Sequence, residues 1–304
     1  MQTLRVLHLA GFGLEVPDVP VAEAFYGAFG LAPRRDESGA LALGTPRSGP
    51  PEILVLPGTH KRLHHLSFAV RPADVSRFGE HLKSLGISTR IPAFGPIRPG
   101  LWFQDPWGTW INLVPAEALP PVDLSPRTLT PRVDRHLWRE LPRDARVNRL
   151  GHLLMFTQEL EKSEAFYSRA LGLRTSDRAV GKVSFMAGGE GVRDHHCFGL
   201  IRSTHRGFQH ASFQVDDVDA IGFGALQMAK AGFTECFGIG RHALASNLFH
   251  YTRDPWGSWV EYYADMDKIS EAWECRDWQD LPYIWPAWAP EFWTHEMNAN
   301  FEPR

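Results

Sequence analysis

Apolar and polar positions alternate with two different periods along this chain. Four stretches alternate apolar with polar side chains or are nearly all apolar, which is typical of strands; they are residues 6–14, 63–70, 150–157 and 209–215. A stretch with apolar residues three and four positions apart follows each of them and predicts a helix; the four helices are 21–29, 73–85, 161–171 and 218–231. Short apolar runs after the helices predict further strands, among them 52–56, 110–114, 183–187, 196–202, 248–253 and 259–263. The unit of one strand, one helix and about three strands therefore occurs four times.

The two halves of the chain also repeat each other in sequence. The clearest match is DPWGxW, which occurs at 105–110 and again at 254–259. Two shorter matches keep the same order along the chain: EAFY at 23–26 and 164–167, and HxSF at 65–68 and 210–213. Three matches in one order are hard to obtain by chance, so the sequence predicts a duplicated domain.

The repeat predicts how the chain divides. We expect an N-terminal domain at 1–120, a linker at 121–146, a C-terminal domain at 147–265 and a tail at 266–304. The linker is rich in proline and lacks periodicity. The tail holds five of the 11 tryptophans of the chain, a composition that argues against disorder. It would cover an apolar site or form an oligomer contact, and the sequence favours neither.

Composition narrows the class of protein. With 304 residues, 43% hydrophobic and 22% charged, the chain suits two globular domains. A net charge of -3 without a basic cluster argues against a nucleic-acid partner or an anionic membrane surface. No uncharged run approaches the roughly 20 residues that cross a bilayer. Three cysteines without CxxC spacing and the lack of a signal peptide favour a cytoplasmic protein.

Three metal-ligating side chains fall at corresponding positions of the predicted units. His152 and His210 lie near the start of the first strands of two units, and Glu261 lies on the last strand. Two imidazoles and one carboxylate on one face leave open positions on an octahedral ion, as in iron(II) oxygenases. A single histidine at a strand start is more often structural, so the hypothesis depends on all three together. The counterparts in the first half are Gly11, His65 and Asn112, which do not form such a set.

The segment 238–265 carries the most specific motif of the chain. It has the pattern GxGRH, then Tyr251, then DPxG, then Glu261. This pattern resembles that of the type I extradiol dioxygenases, which cleave catechols beside the diol and belong to the vicinal oxygen chelate superfamily. The resemblance covers about residues 4–265. It implies an α+β fold of four βαβββ modules, paired into two tandem domains with a metal inside the open sheet of the second.

The resemblance also implies roles for individual residues. It implies iron(II), with manganese(II) as the alternative, held by His152, His210 and Glu261, and O2 as the second substrate of an aromatic diol. In RDHHCFGL, His196 fits the catalytic acid or base better than His195 by its phase with the residues that follow. It further implies catalytic roles for His242 and Tyr251. The stretch ALASNLFH between them differs from the biphenyl-diol branch of the family, and in it Asn247 is a candidate to line the pocket, with His195 as a second candidate for substrate contact. Related enzymes often form homo-oligomers, and we expect one here.

Each of these residues also has a structural interpretation. His196 could be an ordinary strand histidine, His242 a loop histidine at the surface, and Tyr251 a packed strand tyrosine. The DPWG segment at 254–257 is interpreted as a turn that delivers Glu261. Two other functions stay open on the same scaffold: a metal-dependent lyase or isomerase of the glyoxalase type, and a binding protein for aromatic compounds without turnover.

Overall fold

Two mixed β-sheets, one from each half of the chain, organise the molecule. The computed structural model describes residues 4–35, 40–46, 49–93, 99–120, 144–279 and 286–289. The predicted linker at 121–146 lies almost wholly outside the described residues, as do Trp285 and Trp293 of the tail. The domain boundaries therefore stay a prediction.

The N-terminal half forms a sheet of seven strands with two helices. Its elements are β1 (Leu9–Val16), α1 (Val19–Ala28), β2 (Ala32–Arg35), β3 (Leu41–Gly44), β4 (Ile53–Pro57), β5 (Arg62–Val70), a 3-10 turn (Pro72–Asp74), α2 (Val75–Ser84), β6 (Leu101–Gln104) and β7 (Trp110–Pro115). The strand order is β2-β3-β4-β1-β5-β7-β6. The first strands of the two modules, β1 and β5, thus lie side by side near the centre and run antiparallel.

The C-terminal half repeats this plan in a larger sheet. Its elements are β8 (Arg149–Thr157), α3 (Leu160–Leu171), β9 (Arg174–Ala179), β10 (Val183–Ala187), β11 (Arg193–Asp194), β12 (Phe198–Arg202), β13 (Gly207–Gln214), α4 (Val218–Lys230), β14 (Cys236–His242), β15 (Leu248–Arg253), β16 (Trp259–Ala264), β17 (Lys268–Ile269), β18 (Arg276–Trp278) and β19 (Pro286–Trp288). The main sheet has the order β18-β9-β10-β12-β8-β13-β16-β15-β14-β19, and β11 pairs with β17. Two strands of the tail therefore form both edges of the main sheet.

The α+β class and the repeated modules that the sequence predicted are confirmed, with one difference. Three modules show a strand, a helix and three or more strands. In the second module the strand expected after the helix is reduced to a single bridge between Thr89 and Phe103. Helix starts follow local chemistry: the side chains of Asp18 and Asp217 accept hydrogen bonds from the backbone at Val21 and Ala220.

Equivalent strands of the two halves share one register. Ser212 of β13 pairs with His152 of β8 on one side and with Glu261 of β16 on the other. In the N-terminal sheet, the corresponding Ser67 pairs with Gly11 and with Asn112. His210 and His65 each precede that serine by two residues and pair with the tryptophan that ends DPWGxW. The alignment of the halves that the repeats suggested is therefore also a spatial one.

Among the contacts that join the described residues of the two halves, two are reciprocal. Each DPWG turn begins with a buried aspartate that receives a cation from the other half. Lys61 of the N-terminal half contacts Ser258 and lies 3.8 Å from Asp254, and Arg206 of the C-terminal half contacts Asp105. We call these two contacts the cross-half ion pairs. One joins the start of β5 to the turn that leads into β16. The other joins the start of β13 to the turn that leads into β7.

The helices show no membrane-crossing candidate. Among the described residues, no helix has the length and apolar character that a span of the bilayer needs.

The predicted helix bounds shift by one to two residues at most of their ends, and the strand expected from residue 196 begins at Phe198. The two histidines at 195 and 196 therefore precede the strand instead of lying in it.

Candidate active site

Three neighbouring strands bring the predicted metal ligands onto one face of the C-terminal sheet. His152, Ser212 and Glu261 stand in one row across β8, β13 and β16. His210 lies two residues before Ser212, so its side chain points to the same face. The sheet thereby gathers residues that are far apart in sequence, because the first strands of both modules lie at its centre.

The three side chains meet the geometric requirements of a metal site. Single ligand atoms of His152, His210 and Glu261 all lie within 4.8 Å of one another, and all three residues are buried. Nε2 of His152 lies 3.1 Å from the Glu261 carboxylate, and Nε2 of His210 lies 3.5 Å from it. Among the residues that the structure describes, Nε2 of His210 makes no hydrogen bond. A buried nitrogen with an unused lone pair beside a carboxylate fits a site for a cation.

Neighbouring side chains orient two of the ligands. Nδ1 of His210 donates a hydrogen bond to the side-chain oxygen of Gln209, which leaves the lone pair of the imidazole on Nε2. Ser212 donates a hydrogen bond to Oε2 of Glu261. The amide of Asn247 donates one to Oε1 at 3.2 Å. Such contacts fix ring and carboxylate before any ion arrives.

Electrostatics keep two of the three ligands, Glu261 and His210, in the forms that bind metal. Burial raises the pKa of Glu261, but hydrogen bonds from His152 and His242 outweigh it and hold that pKa well below its ordinary value. Burial lowers the pKa of His210 to about 3, although Glu261 opposes this. A charged carboxylate and a neutral imidazole are the states that a divalent cation requires.

His196 lies against the ligand cluster, and His195 lies behind it. The ring of His196 is 4.4 Å from that of His152 and 4.5 Å from that of Phe185, measured between centroids. Burial lowers the pKa of His196 well below its ordinary value, and the nearby His152 adds to the shift. His195 is fully buried and bonds to Asp177 and to His196. This arrangement favours His196 over His195 for contact with a bound molecule.

His242 and Tyr251 form the opposite wall of the cluster. Nε2 of His242 lies 3.0 Å from the hydroxyl of Tyr251 and 3.6 Å from Oε1 of Glu261. The ring of Tyr251 is 5.3 Å from that of His210, and burial raises the pKa of its phenol well above the ordinary value. The structural interpretation from the sequence made His242 a loop histidine. The structure corrects this, because the segment pairs with β15 and His242 is the last residue of β14.

Sequence reasoning missed several side chains that the structure places around the cluster. Ser212 had a visible signal, since alternation puts it on the same face as His210. Gln209, beside a candidate ligand, gave no signal of its own. Asp177 gave none either, because only the pairing of strands in the fold brings it to His195. Asn247, expected to contact substrate, donates a hydrogen bond to Glu261, a contact that the sequence did not indicate; its contact with substrate stays a prediction.

Comparison with known proteins shows that this chain is similar to enzymes. The family model of the Glyoxalase/Bleomycin resistance protein/Dioxygenase superfamily matches residues 149–262. The chain is 36% identical over 313 residues to Metapyrocatechase 2 of Cupriavidus necator, covering 95% of this chain and 91% of that protein. It is 21% identical over 273 residues to an iron-dependent extradiol dioxygenase of Rhodococcus jostii (strain RHA1), covering 84% of each.

Solved structures share the architecture across nearly the whole chain. A Mn(II)-bound glyoxalase from Novosphingobium aromaticivorans superimposes with a TM-score of 0.77 at 17% identity, covering 94% of this chain and 91% of that one. BphC, a halotolerant catechol dioxygenase, superimposes with a TM-score of 0.72 at 20% identity, covering 94% and 95%. At these identities the likeness shows a common fold, and a glyoxalase and a dioxygenase share it.

Proposed function

The chain belongs to the extradiol dioxygenases of the glyoxalase/bleomycin resistance protein/dioxygenase superfamily, and from this we propose that it cleaves the aromatic ring of a catechol-type diol with iron(II) and O2. One observation carries the proposal. The buried cluster of His152, His210 and Glu261, with His196 on one side and His242 and Tyr251 on the other, occurs in a chain 36% identical to a metapyrocatechase.

The donor set fits a divalent metal of the iron type. We propose that His152, His210 and Glu261 hold it, because two neutral imidazoles and one carboxylate suit iron(II) or manganese(II) and leave positions for other molecules. Bound there, iron(II) supplies the Lewis-acid and redox chemistry that a reaction of a diol with O2 needs. We propose iron over manganese because the Rhodococcus relative is named iron-dependent, although the similar glyoxalase structure holds Mn(II).

The remaining residues would manage protons and orient the ring. His196, which burial keeps neutral, can accept a proton at a ring nitrogen or share a hydrogen bond there. Tyr251, whose phenol stays protonated, can donate a hydrogen bond to a diol oxygen, and His242, 3.0 Å from that phenol, can donate a hydrogen bond to its oxygen. The reacting oxygens would thus lie between two proton-handling walls.

The surroundings suit a flat aromatic substrate. Phe185 lies against His196, and the ring of Phe249 stacks on that of His242 at 4.2 Å. Apolar walls with a few polar groups at one end are typical of small-molecule sites. We therefore propose a catechol-type diol, either substituted or bicyclic, as the substrate class.

The test is ring cleavage itself. Protein purified without air and loaded with iron(II) is mixed with oxygen and a panel of single-ring and bicyclic catechols, while visible absorbance and dissolved oxygen are recorded. We expect a yellow product and one O2 consumed per diol, and neither in a His210→Ala variant. A metal-loaded wild-type protein that consumes no oxygen with any diol would reject the proposal.

The same experiment separates the alternative functions. A glyoxalase-type lyase or isomerase would turn over its substrate without oxygen uptake, and a binding protein would shift the diol spectrum without product. The fold alone does not discriminate, since a glyoxalase shares it. Loading parallel samples with manganese(II) decides the metal, because only the ion that supports turnover can be the working one.

Assembly and location accompany this proposal. We propose a homo-oligomer that acts in the cytoplasm on a small aromatic diol, without a nucleic-acid or membrane partner. The composition supports this, since the net charge is -3 and no basic cluster is present. Light scattering of the purified protein tests the assembly, and a mass equal to one chain at all concentrations would reject it.

A further inference from the structure

A buried chain of three polar side chains leads away from the candidate metal centre. Nε2 of His195 lies 3.0 Å from Oδ2 of Asp177, and Nδ1 of His195 lies 3.1 Å from Nδ1 of His196. All three residues are buried. The inner end of the chain is His196, whose ring lies 4.4 Å from that of His152. Neither Asp177 nor His195 has a role in the function proposed above.

The tail closes the outer end of this chain. The backbone N–H of Arg276, the first residue of β18, donates to Oδ1 of Asp177 at 3.0 Å. The indole N–H of Trp273 donates to the backbone oxygen of Ser176 at 2.9 Å, and its ring lies 5.6 Å from that of His195. The tail thus fixes the carboxylate of Asp177 from one side while His195 uses it from the other.

The hydrogen bonds that link Asp177, His195 and His196 determine which ring nitrogen of His196 carries its hydrogen. An ionised carboxylate only accepts hydrogen bonds, so Nε2 of His195 must be the donor to Asp177. In a neutral imidazole the other nitrogen is then an acceptor, which makes Nδ1 of His195 the acceptor in its contact with His196. Nδ1 of His196 must therefore carry the hydrogen, and Nε2 of His196 keeps a lone pair.

We propose that Asp177, held by the tail and acting through His195, is a positioning residue that fixes His196 with its hydrogen on Nδ1 and its lone pair on Nε2. The use of that lone pair on a diol rests on the proposed function, but the tautomer does not depend on any ligand. A carboxylate that fixes the tautomer of a catalytic histidine serves the same purpose in serine proteases. The proposal also gives the start of the tryptophan-rich tail a task in the active site.

In an Asp177→Asn variant, the hydrogens of His195 and His196 should each move to the other nitrogen of the same ring. The N–H of Arg276 can only be met by the amide oxygen, so the amide NH2 would face His195. Nε2 of His195 would then accept, Nδ1 of His195 would donate, and Nδ1 of His196 would accept. The hydrogen of His196 would move to Nε2. The substitution is nearly isosteric, so the cavity around the chain keeps its shape.

The first test uses the full-length protein without metal. Histidine labelled with 15N in the ring distinguishes protonated from unprotonated nitrogens, and a His196→Gln variant assigns the signals. We expect a protonated Nδ1 and a bare Nε2 at His196 in the wild type, and the reverse in Asp177→Asn. The matched control is Asp277→Asn in the same tail strand, whose carboxylate pairs at the surface with Arg178; it should keep the wild-type pattern.

Two results would overturn the proposal. One is a wild-type His196 with its hydrogen on Nε2, as a doubly protonated His195 would produce. The other is an Asp177→Asn protein with an unchanged His196. Should that variant not fold, His195→Gln interrupts the same chain, and we expect both tautomers of His196 to be populated; a retained wild-type pattern would then decide against the proposal.

The second test is kinetic. With iron(II) and a diol that the wild type cleaves, we expect kcat of Asp177→Asn to fall by about 100-fold or more, the range of a misplaced acid or base. KM and iron content should stay at wild-type values, and Asp277→Asn should match the wild type. A parallel change of kcat, KM and iron content would show a merely structural role. If no diol is cleaved but the NMR pattern holds, the proposed function fails and the positioning role stands.

Discussion

The two halves of this protein fold on one strand register and place different chemistry on it. In the C-terminal sheet a central row carries His152, Ser212 and Glu261. The same row of the N-terminal sheet carries Gly11, Ser67 and Asn112. The N-terminal row lacks one imidazole and the carboxylate of the ligand set, while the register of its central strands is the same. The metal-ligand set is thus a property of side chains placed on a scaffold, not of the scaffold itself.

His65 shows that the right residue in register is not sufficient. It pairs with Gly13, and a Cβ at that glycine would lie only 2.3 Å from Nδ1 of His65. The imidazole therefore occupies the space above bare backbone. His210, its counterpart, pairs with Leu154, whose buried side chain fills that space. A ligand needs neighbours that direct its ring as well as a position on the correct face.

Polar neighbours differ between the halves in the same way. In the C-terminal half Ser212 and Asn247 both donate hydrogen bonds to Glu261. In the N-terminal half, the hydroxyl of Ser67 and both amide atoms of Asn112 make no hydrogen bond among the described residues. The serine is retained in register, but the group that it would serve has changed.

The largest expected contrast comes from one substitution at the ligand positions of the C-terminal sheet and one at the matching positions of the N-terminal sheet. Glu261→Gln removes the only carboxylate of the proposed ligand set and should weaken iron(II) binding by more than about 100-fold, the upper end for loss of an outer-shell contact. His65→Gln changes the counterpart of His210 in the N-terminal sheet and should leave iron content and oxygen uptake at wild-type levels. Metal analysis after anaerobic loading measures both. Equal metal loss in the two variants would mean that the halves do not differ as described.

Much of this contrast was predictable from the sequence, and the reason is periodicity. The repeated DPWGxW and HxSF segments align the halves, and alternation along a strand then fixes which residues share a face. The predicted ligand set of His152, His210 and Glu261 followed from this pattern together with the metal-ligating side chains at these positions. The resemblance to extradiol dioxygenases added His196, His242 and Tyr251, whose catalytic roles stay predictions.

The rest depended on contacts that a linear pattern does not encode. Asp177 meets His195 because β9 lies beside β10 and β18 in the sheet, and nothing local to either residue indicates it. Composition argued against disorder in the tail but did not indicate that its two described strands, β18 and β19, lie at opposite edges of the main sheet. The repeat predicted about three strands after the second helix, and one of them is reduced to the bridge of Thr89 with Phe103. Pairing between distant segments decided each of these.

The cross-half ion pairs offer a second contrast, of intermediate size. Lys61→Met would leave Asp254 buried without its cation, which typically costs about 3–5 kcal/mol. Arg206→Met should cost less, because Asp105 keeps a hydrogen bond of 2.8 Å from the hydroxyl of Tyr167. The corresponding Tyr26 makes no hydrogen bond through its hydroxyl among the described residues. Urea unfolding of the metal-free variants measures both costs.

A further variant separates this explanation from simple loss of packing. Adding Asp254→Asn to Lys61→Met removes the buried charge and should recover part of the lost stability. Lys61 also contacts Ser258, which precedes Glu261 by three residues on the chain. We therefore expect Lys61→Met, but not Arg206→Met, to weaken iron(II) binding as well. Equal metal binding by the two variants would show that the cross-half ion pairs act on stability alone.

The smallest expected effect should be equal in the two halves. Burial, with help from Arg149, lowers the pKa of His8 to about 4, and burial lowers that of His250 to about 4. Both values lie below the ordinary 6.5, so the unfolded chain binds more protons between these limits. The stabilisation from each neutral histidine is full above about pH 6.5 and declines as the pH falls toward 4. For each histidine, lowering the pH from 7 to 5 should reduce the free energy of unfolding by about 2 kcal/mol.

Single variants test whether this titration is shared. His8→Gln in the N-terminal half and His250→Gln in the C-terminal half each remove one buried imidazole that lies outside the ligand set. Urea midpoints of the metal-free proteins at about pH 7 and pH 5 should show a shallower pH dependence in both variants, by similar amounts. A flattening in only one would mean that the halves differ in how they bury histidine. Equal flattening would confine their difference to the row of ligands and its neighbours, where a duplicated scaffold needs few changes to gain or lose a metal site.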